Sequence, residues 1–89
     1  MKYISSTNTI IISPKFNEKL SNEYIKIISK FDKVIFSNYK LNDKLFEAYK
    51  NNKFNSFKYI GNEFNSPVDN LSSSLTHLTF GQYFTPLHN

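Results

Sequence analysis

The centre of the sequence reads Phe31-Asp32-Lys33-Val34-Ile35-Phe36, an apolar-x-x-apolar-x-aromatic pattern that returns twice further along the chain. The copies are Phe31-x-x-Val34-x-Phe36, Phe54-x-x-Phe57-x-Tyr59 and Leu75-x-x-Leu78-x-Phe80, and they begin 23 and then 21 residues apart. A weaker fourth copy opens the chain, because Thr9-Ile10-Ile11-Ile12-Ser13 aligns with Lys33-Val34-Ile35-Phe36-Ser37 at an offset of 24 residues. Self-similarity at such a period indicates stacked units, in which each turn covers the apolar face of its neighbour. The spacing therefore predicts about four short parallel strands.

Two helical patterns lie between the first of these predicted strands. One apolar stripe at helical spacing consists of Leu20, Tyr24, Ile27, Ile28 and Phe31. Asn17 or Ser21 can cap its start. A second, shorter stripe consists of Leu41, Leu45, Phe46 and Tyr49, with Asn42 as its predicted N-cap and Asn51-Asn52 as its end. We therefore expect an α/β fold, a short leucine-rich-repeat-like solenoid with about four parallel strands and helices on the convex side of the N-terminal half.

Composition excludes several classes of protein. The chain has 89 residues, enough for a single domain over 1–89, and its 39% hydrophobic residues, nine Phe and six Tyr are typical of a folded protein. The absence of Cys excludes disulfides, thiolate metal sites and a cysteine nucleophile. No apolar run approaches the roughly 20 residues of a membrane span. We expect an intracellular, cytoplasmic protein with no cofactor, no membrane partner and no small-molecule substrate.

After residue 60 the composition of the sequence changes, and its motifs resemble those of a known family. Residues 61–71 read Gly-Asn-Glu-Phe-Asn-Ser-Pro-Val-Asp-Asn-Leu, residues 74–81 read Ser-Leu-Thr-His-Leu-Thr-Phe-Gly, and Phe84-Thr85-Pro86-Leu87 begins a shortened second copy. This closely resembles the FNIP-repeat family, named for its Phe-Asn-Ile-Pro tetrapeptide, which here reads Phe64-Asn65-Ser66-Pro67. The resemblance covers residues 61–89 well and 54–60 loosely, so we divide the chain into strand–helix units over 1–53 and FNIP-type repeats over 54–89.

The resemblance carries expectations about function. FNIP repeats are related to leucine-rich repeats and are typical of social amoebae and of the giant viruses that infect them, often in long arrays and sometimes behind an F-box. Their presumed role is protein–protein interaction, which implies a non-enzymatic interaction module here, located in the host cytoplasm or virion if the protein is viral. Residues 20–31 overlap part of an F-box pattern but lack its Pro, and an amphipathic helix alone produces most of that match.

Leucine-rich-repeat geometry also implies a binding surface. The residues between the apolar positions of each strand would face outward on the concave sheet. The residues predicted to bind a partner there are Lys33, Ile35, Ser37, Ser56, Lys58, His77 and Thr79, with Thr9, Ile11 and Ser13 at the first strand. The alternative is an ordinary solvated sheet surface. Because no polar cap follows Phe80, we also expect a partner protein or a second copy of the chain to cover that edge.

The uneven distribution of charge along the chain suggests an alternative function. All eleven basic residues are lysines and lie within residues 1–60, alongside five acidic residues, and the whole chain has a net charge of +4. Such a basic half is compatible with a nucleic-acid-binding or virion-associated protein that uses Lys15, Lys19, Lys26, Lys30, Lys33, Lys40 and Lys44. Lysines also occupy solvated surfaces readily, and specific base recognition favours the arginine fork.

The sequence contains no pattern that indicates catalysis or metal binding. His77 and His88, with Glu63 and Asp69 as the nearest acids, do not show the spacing of a metal motif. There is no G-x-S-x-G elbow, and the two glycines stand twenty residues apart, so no phosphate-cradling loop is predicted. We therefore expect no catalytic and no metal-ligating residues.

Overall fold

The computed structural model describes residues 2–64 and 77–79, and these form a small mixed α/β fold. The elements in chain order are β1 (Tyr3–Ser5), β2 (Thr9–Ile12), α1 (Asn22–Ile28), β3 (Lys33–Phe36), α2 (Leu45–Asn51) and β4 (His77–Thr79). The strands lie in one sheet in the order β1-β2-β3-β4. β1 runs antiparallel to β2, and β3 runs parallel to β2, so these three strands make a mixed sheet to which β4 adds in parallel.

The register of the parallel strands follows the repeats in the sequence. Thr9 lies opposite Lys33, which is the predicted offset of 24 residues. On the other side of β3, Lys33 lies opposite His77. The predicted register of the first two parallel strands is confirmed, whereas the pairing of β3 with β4 is not the predicted one, because the pattern places a strand over 54–59 between them.

The predicted solenoid of four parallel strands is wrong. Its second copy, residues 54–59, forms a turn in which the Phe57 N–H donates to the Phe54 carbonyl at 2.9 Å. Tyr59 belongs to none of the named strands and forms an isolated antiparallel bridge with Tyr39. The physical reason is that Asn55 and Ser56, which lie between the two phenylalanines, favour a turn. The chain therefore bends where the pattern predicts a strand. The antiparallel β1 and the placement of helices on both sides of the sheet also differ from a solenoid.

Alternate side chains of β2 and β3 enter two separate apolar cores. The first-face core, which α1 covers, consists of Ile10, Ile12, Phe16, Leu20, Ile28, Val34, Phe36 and Phe64. The second-face core, which α2 covers, consists of Ile11, Ile35, Leu45 and Ala48, with rings such as Phe54 and Phe57 packed against it. Strands buried on both faces read as continuous apolar runs, and Ile10-Ile11-Ile12 and Val34-Ile35-Phe36 are such runs.

The helix boundaries reflect local capping. Ser21 caps α1 as one of the two predicted candidates, since its Oγ accepts the Tyr24 N–H at 3.4 Å. Before α2, the Asn42 side chain accepts the Lys44 N–H at 2.8 Å, which forms a turn, and the helix begins two residues later than an Asn42 cap would place it. Asn52 ends α2 in the left-handed conformation, with φ of 54°. Neither of these two helices, which are those of the described residues, is long and apolar enough to cross a membrane.

Residues 39–60 form an excursion from the sheet that closes at its base; we call it the α2 excursion. The N–H groups of Ile60 and Gly61 both donate to the Asn38 carbonyl, at 2.9 and 3.2 Å. Beyond the closure, the Asn62 side-chain amide donates to the Ser37 carbonyl at 2.8 Å. The chain then crosses to the other side of the sheet, where Phe64 enters the first-face core with 1% of its surface exposed.

Several expectations fall outside the described residues. They are the FNIP-type sequences over 65–76 and 80–89, including the shortened copy at 84–87, and the open sheet edge expected after Phe80.

Candidate functional site

A groove of about 570 Å³ opens on the second face of the sheet, between α2 and the amino ends of β2 and β3. We call it the α2 groove. Its lining residues are Ser6, Thr9, Lys33, Ile35, Phe46, Glu47, Tyr49, Lys50, Asn52 and Phe54. Because parallel strands begin at the same edge of a sheet, Thr9 and Lys33 stand side by side at one end of the groove.

The apolar lining of the groove comes from α2 and from the turn that follows it. Phe46 and Tyr49 are three residues apart, so both project from the same side of the helix. The Phe54 ring packs edge-on against the Tyr49 ring, with centroids 4.8 Å apart, and stacks on Tyr39 at 4.5 Å with an interplanar angle of 4°. These ring contacts fix the wall of the groove opposite Ile35.

The charged residues of the groove lie at its exposed margin. Lys33 and Lys50 are exposed, and neither ammonium has an acidic partner within residues 2–64. Glu47 is also exposed, and its carboxylate accepts a hydrogen bond from the Asn51 side chain at 3.2 Å. Among the described residues, the margin therefore presents two lysines without an acidic partner and one carboxylate that already has a hydrogen-bond donor.

The Tyr49 hydroxyl is held below the groove by a polar cluster at the end of β3. It donates to Ser37 Oγ at 3.1 Å and accepts the Asn38 N–H at 3.2 Å. Ser37 in turn donates to the Tyr39 carbonyl at 2.7 Å and accepts the Tyr39 N–H at 2.9 Å. Burial raises the pKa of Tyr49 above its ordinary value near 10, and the Ser37 and Asn38 hydrogen bonds offset part of that rise. The Tyr49 phenol is therefore protonated near neutral pH, and its hydrogen bonds stabilise the fold.

The structure brings only some of the predicted partner-binding residues together. Lys33 and Ile35 line the α2 groove, and the backbones of His77 and Thr79 lie opposite them in β4. Ser56 and Lys58 are exposed, but they belong to the α2 excursion and not to a neighbouring strand.

These residues do not form the single outward-facing surface that the sequence predicts, because some of them are buried. Ile35 is 6% exposed, and Ser37 is fully buried. At the first strand, Ile11 is also fully buried, whereas Thr9 lines the groove. The reason is that α2 covers this face of the sheet, so the residues between the predicted core positions form a second core.

The lysines of the rival hypothesis are all exposed but do not lie on a single face. Lys26 belongs to α1, which covers the first face, and Lys44 immediately precedes α2, which covers the second. Lys15 forms an ion pair with Glu63 at 3.4 Å. A nucleic-acid backbone engages a continuous basic stripe, which this distribution does not provide.

Reasoning from sequence missed most of the groove. Phe46 and Tyr49 were assigned to a core-facing stripe, and neither Lys50 nor Phe54 was given a binding role. The available signal was the pair of continuous apolar runs in β2 and β3, which indicates a second helix layer and thus a second interface between helix and sheet. Within residues 2–64 and 77–79 there is no group of three or more His, Asp or Glu that could hold a metal ion.

No family model matches the chain, and no curated protein or solved structure matches it.

Proposed function

We propose that this protein is a non-enzymatic protein–protein interaction module and that the α2 groove receives a short extended segment of another protein. The observation that carries this proposal is the make-up of the groove, in which aromatic rings line an open cleft and two exposed lysines, without an acidic partner within residues 2–64, stand at its margin. Protein interfaces favour this combination, since their cores are rich in aromatic residues and their rims are polar.

The size of the groove supports a peptide-like ligand. Its volume of about 570 Å³ lies within the range of roughly 300–1,000 Å³ that is usual for small-molecule sites, so the groove has room for a few side chains of a partner and not for a folded domain. The walls supply Phe46, Phe54 and Ile35 as apolar contacts, which favour one or two bulky apolar side chains from the partner.

The charge of the margin favours an acidic partner segment. Lys33 marks one end of the groove at the start of β3, and Lys50 lies in the last turn of α2. A carboxylate of the bound segment can pair with these lysines, and such complementarity sets orientation and the association rate more than affinity. The expected ligand is therefore an extended sequence with acidic residues beside a bulky apolar side chain.

The resemblance of residues 54–89 to FNIP repeats supports the same class of function, because that family is associated with protein–protein interaction. Under this proposal the protein acts inside the cell, in the cytoplasm. The absence of cysteine fits such a compartment, since small secreted domains often depend on disulfides.

The proposal is tested by selecting binders from a displayed library of random peptides and measuring their affinities for defined variants. The groove variant is Lys33→Glu/Lys50→Glu, and the matched control is Lys26→Glu/Lys30→Glu, which makes the same change in charge outside the groove. We expect selected peptides to be acidic and to lose at least about tenfold in affinity for the groove variant, as the loss of two ion pairs with introduced repulsion requires.

The control variant is expected to stay within about twofold of the wild type, a change of less than about 0.5 kcal/mol. Equal losses for the two variants would show that only net charge matters. Selected peptides that bind both variants as well as the wild type would remove the α2 groove from consideration.

A further inference from the structure

The outer edge of β1 carries backbone groups that face away from the sheet. Toward β2, the Ser13 N–H donates to the Lys2 carbonyl and the Ser6 N–H donates to the Thr9 carbonyl, each at 2.8 Å. Bonded pairs in an antiparallel ladder recur at every second residue, so Lys2, Ile4 and Ser6 face β2. The N–H and carbonyl groups of Tyr3 and Ser5 therefore point outward, and no described residue pairs with them.

Among the described residues, this edge carries no proline, and no bulge interrupts its pairing with β2; both are devices that block strand addition. Lys2, the charged residue that precedes β1, is engaged within its own chain. Its ammonium pairs with Glu18 at 2.6 Å, donates to the Tyr24 hydroxyl and lies 5.3 Å from the centre of that ring. The hydrogen bonds to Glu18 and Tyr24 raise the pKa of Lys2 above its ordinary value.

We propose that the outer edge of β1 is a self-association site, at which β1 of a second copy of this chain pairs antiparallel about a two-fold axis at Ile4. In this register Tyr3 of one copy exchanges two backbone hydrogen bonds with Ser5 of the other, and the symmetry supplies two more. The two sheets then continue into one, with the α1 layers on one side and the α2 layers on the other.

The side chains of β1 fit this register. A bulky residue lies opposite a small one on the first face, because Tyr3 faces Ser5 of the other copy. On the second face the two Ile4 side chains meet at the axis, where each packs partly on its own core and keeps part of its surface exposed. β1 itself bears no charge, so no like-charge repulsion opposes the pairing. This self-complementarity is the reason to assign the edge to a second copy and not to an unrelated strand.

Single cysteines test the register, since the natural sequence contains none. At the two-fold axis the Ile4 residues form a non-hydrogen-bonded pair with Cα atoms about 4.5 Å apart, which a disulfide can bridge. The two Ser5 residues lie about 8 Å apart, beyond the roughly 7 Å limit. We expect Ile4→Cys to yield a disulfide-linked dimer on mild oxidation and Ser5→Cys to remain predominantly without a disulfide cross-link.

Sedimentation of the cysteine-free chain provides the second measurement. Between about 10 μM and about 1 mM, a range suited to weak pairing, we expect the average mass to rise from 10.4 kDa toward twice that value. Ser5→Pro removes the outward N–H, a substitution that edge strands tolerate, and should abolish the rise while circular dichroism stays native. A strict monomer, cross-linking that does not distinguish the two cysteines, or a dimer indifferent to Ser5→Pro would each overturn the proposal.

Discussion

Replacement of Phe64 by alanine tests whether the chain returns to the first face after the α2 excursion. The Phe64 ring is 1% exposed and stacks on Phe36 with centroids 4.4 Å apart and an interplanar angle of 19°. The Phe64 ring also stacks with Phe16, with centroids 5.7 Å apart. Truncation of such a ring leaves a cavity as well as lost transfer energy, and typically costs about 3–5 kcal/mol. A domain of this size has a total stability of about 5–15 kcal/mol.

Urea denaturation followed by circular dichroism measures the change. We expect Phe64→Ala to lower the free energy of unfolding by about 3–5 kcal/mol with little change in the denaturant slope, and Phe64→Leu to lower it by about 1.5 kcal/mol or less. Ile60→Ala is the matched control, since Ile60 is 40% exposed and such positions tolerate change within about 0.5 kcal/mol. A loss for Phe64→Ala no larger than that of the control would refute the placement of Phe64 in the first-face core.

Three further predictions follow from local features. Because the Tyr49 pKa is raised, the folded chain keeps its proton above pH 10 while the unfolded chain loses it, so stability should fall as pH rises through that range. Tyr49→Phe should flatten the alkaline fall and cost about 1 kcal/mol at neutral pH through lost hydrogen bonds; an unchanged alkaline slope would contradict this. Asn52→Gly should leave thermal stability nearly unchanged, whereas Asn52→Ala should lower it by about 1 kcal/mol, because φ is 54°; equal melting temperatures for the two variants would be inconsistent with a left-handed cap. Duplex DNA should bind weakly at about 50 mM salt with a shallow salt slope, and a steep slope up to about 200 mM that Lys26→Glu/Lys30→Glu reduces would restore the nucleic-acid hypothesis.

The strand pairing is the part of the fold that the sequence predicts best. The alignment of residues 9–13 with 33–37 gives the observed register of β2 against β3, because parallel neighbours with similar apolar spacing bury equivalent side chains together. The helix stripe through Tyr24 and the cap at Ser21 likewise depend on local periodicity and short-range hydrogen bonds. The helix stripe and the cap can be predicted from a single sequence because each depends on residues only a few positions apart.

The layer arrangement was not predicted, because it depends on contacts between distant residues. The repeat pattern places Ile11 and Ile35 on an outward face, whereas α2 packs over both. Solenoid geometry has helices on one side of the sheet only, whereas the continuous apolar runs of β2 and β3 indicate burial on both sides. β1 was also missed, since a three-residue edge strand carries too short a pattern to be distinguished from a loop.

The candidate site was predicted in part for the same reason. Lys33 and Ile35 were chosen as residues of β3, and both line the α2 groove. The opposite wall, with Phe46 and Phe54, is brought to β3 by the α2 excursion. No local pattern records that long-range packing, so this wall of the groove could be located only in three dimensions.

Because two amide groups donate to the Asn38 carbonyl, the α2 excursion begins and ends at the same place on the sheet, and its sequence can vary there. Entry and exit of the excursion meet at one backbone position, so insertions, deletions or replacements among its exposed residues need not shift the strands beneath, provided that Leu45 and Ala48 keep their packing on Ile11 and Ile35. Evolution or a protein engineer can therefore vary one wall of the groove, and with it the choice of ligand, while the opposite layer keeps its packing.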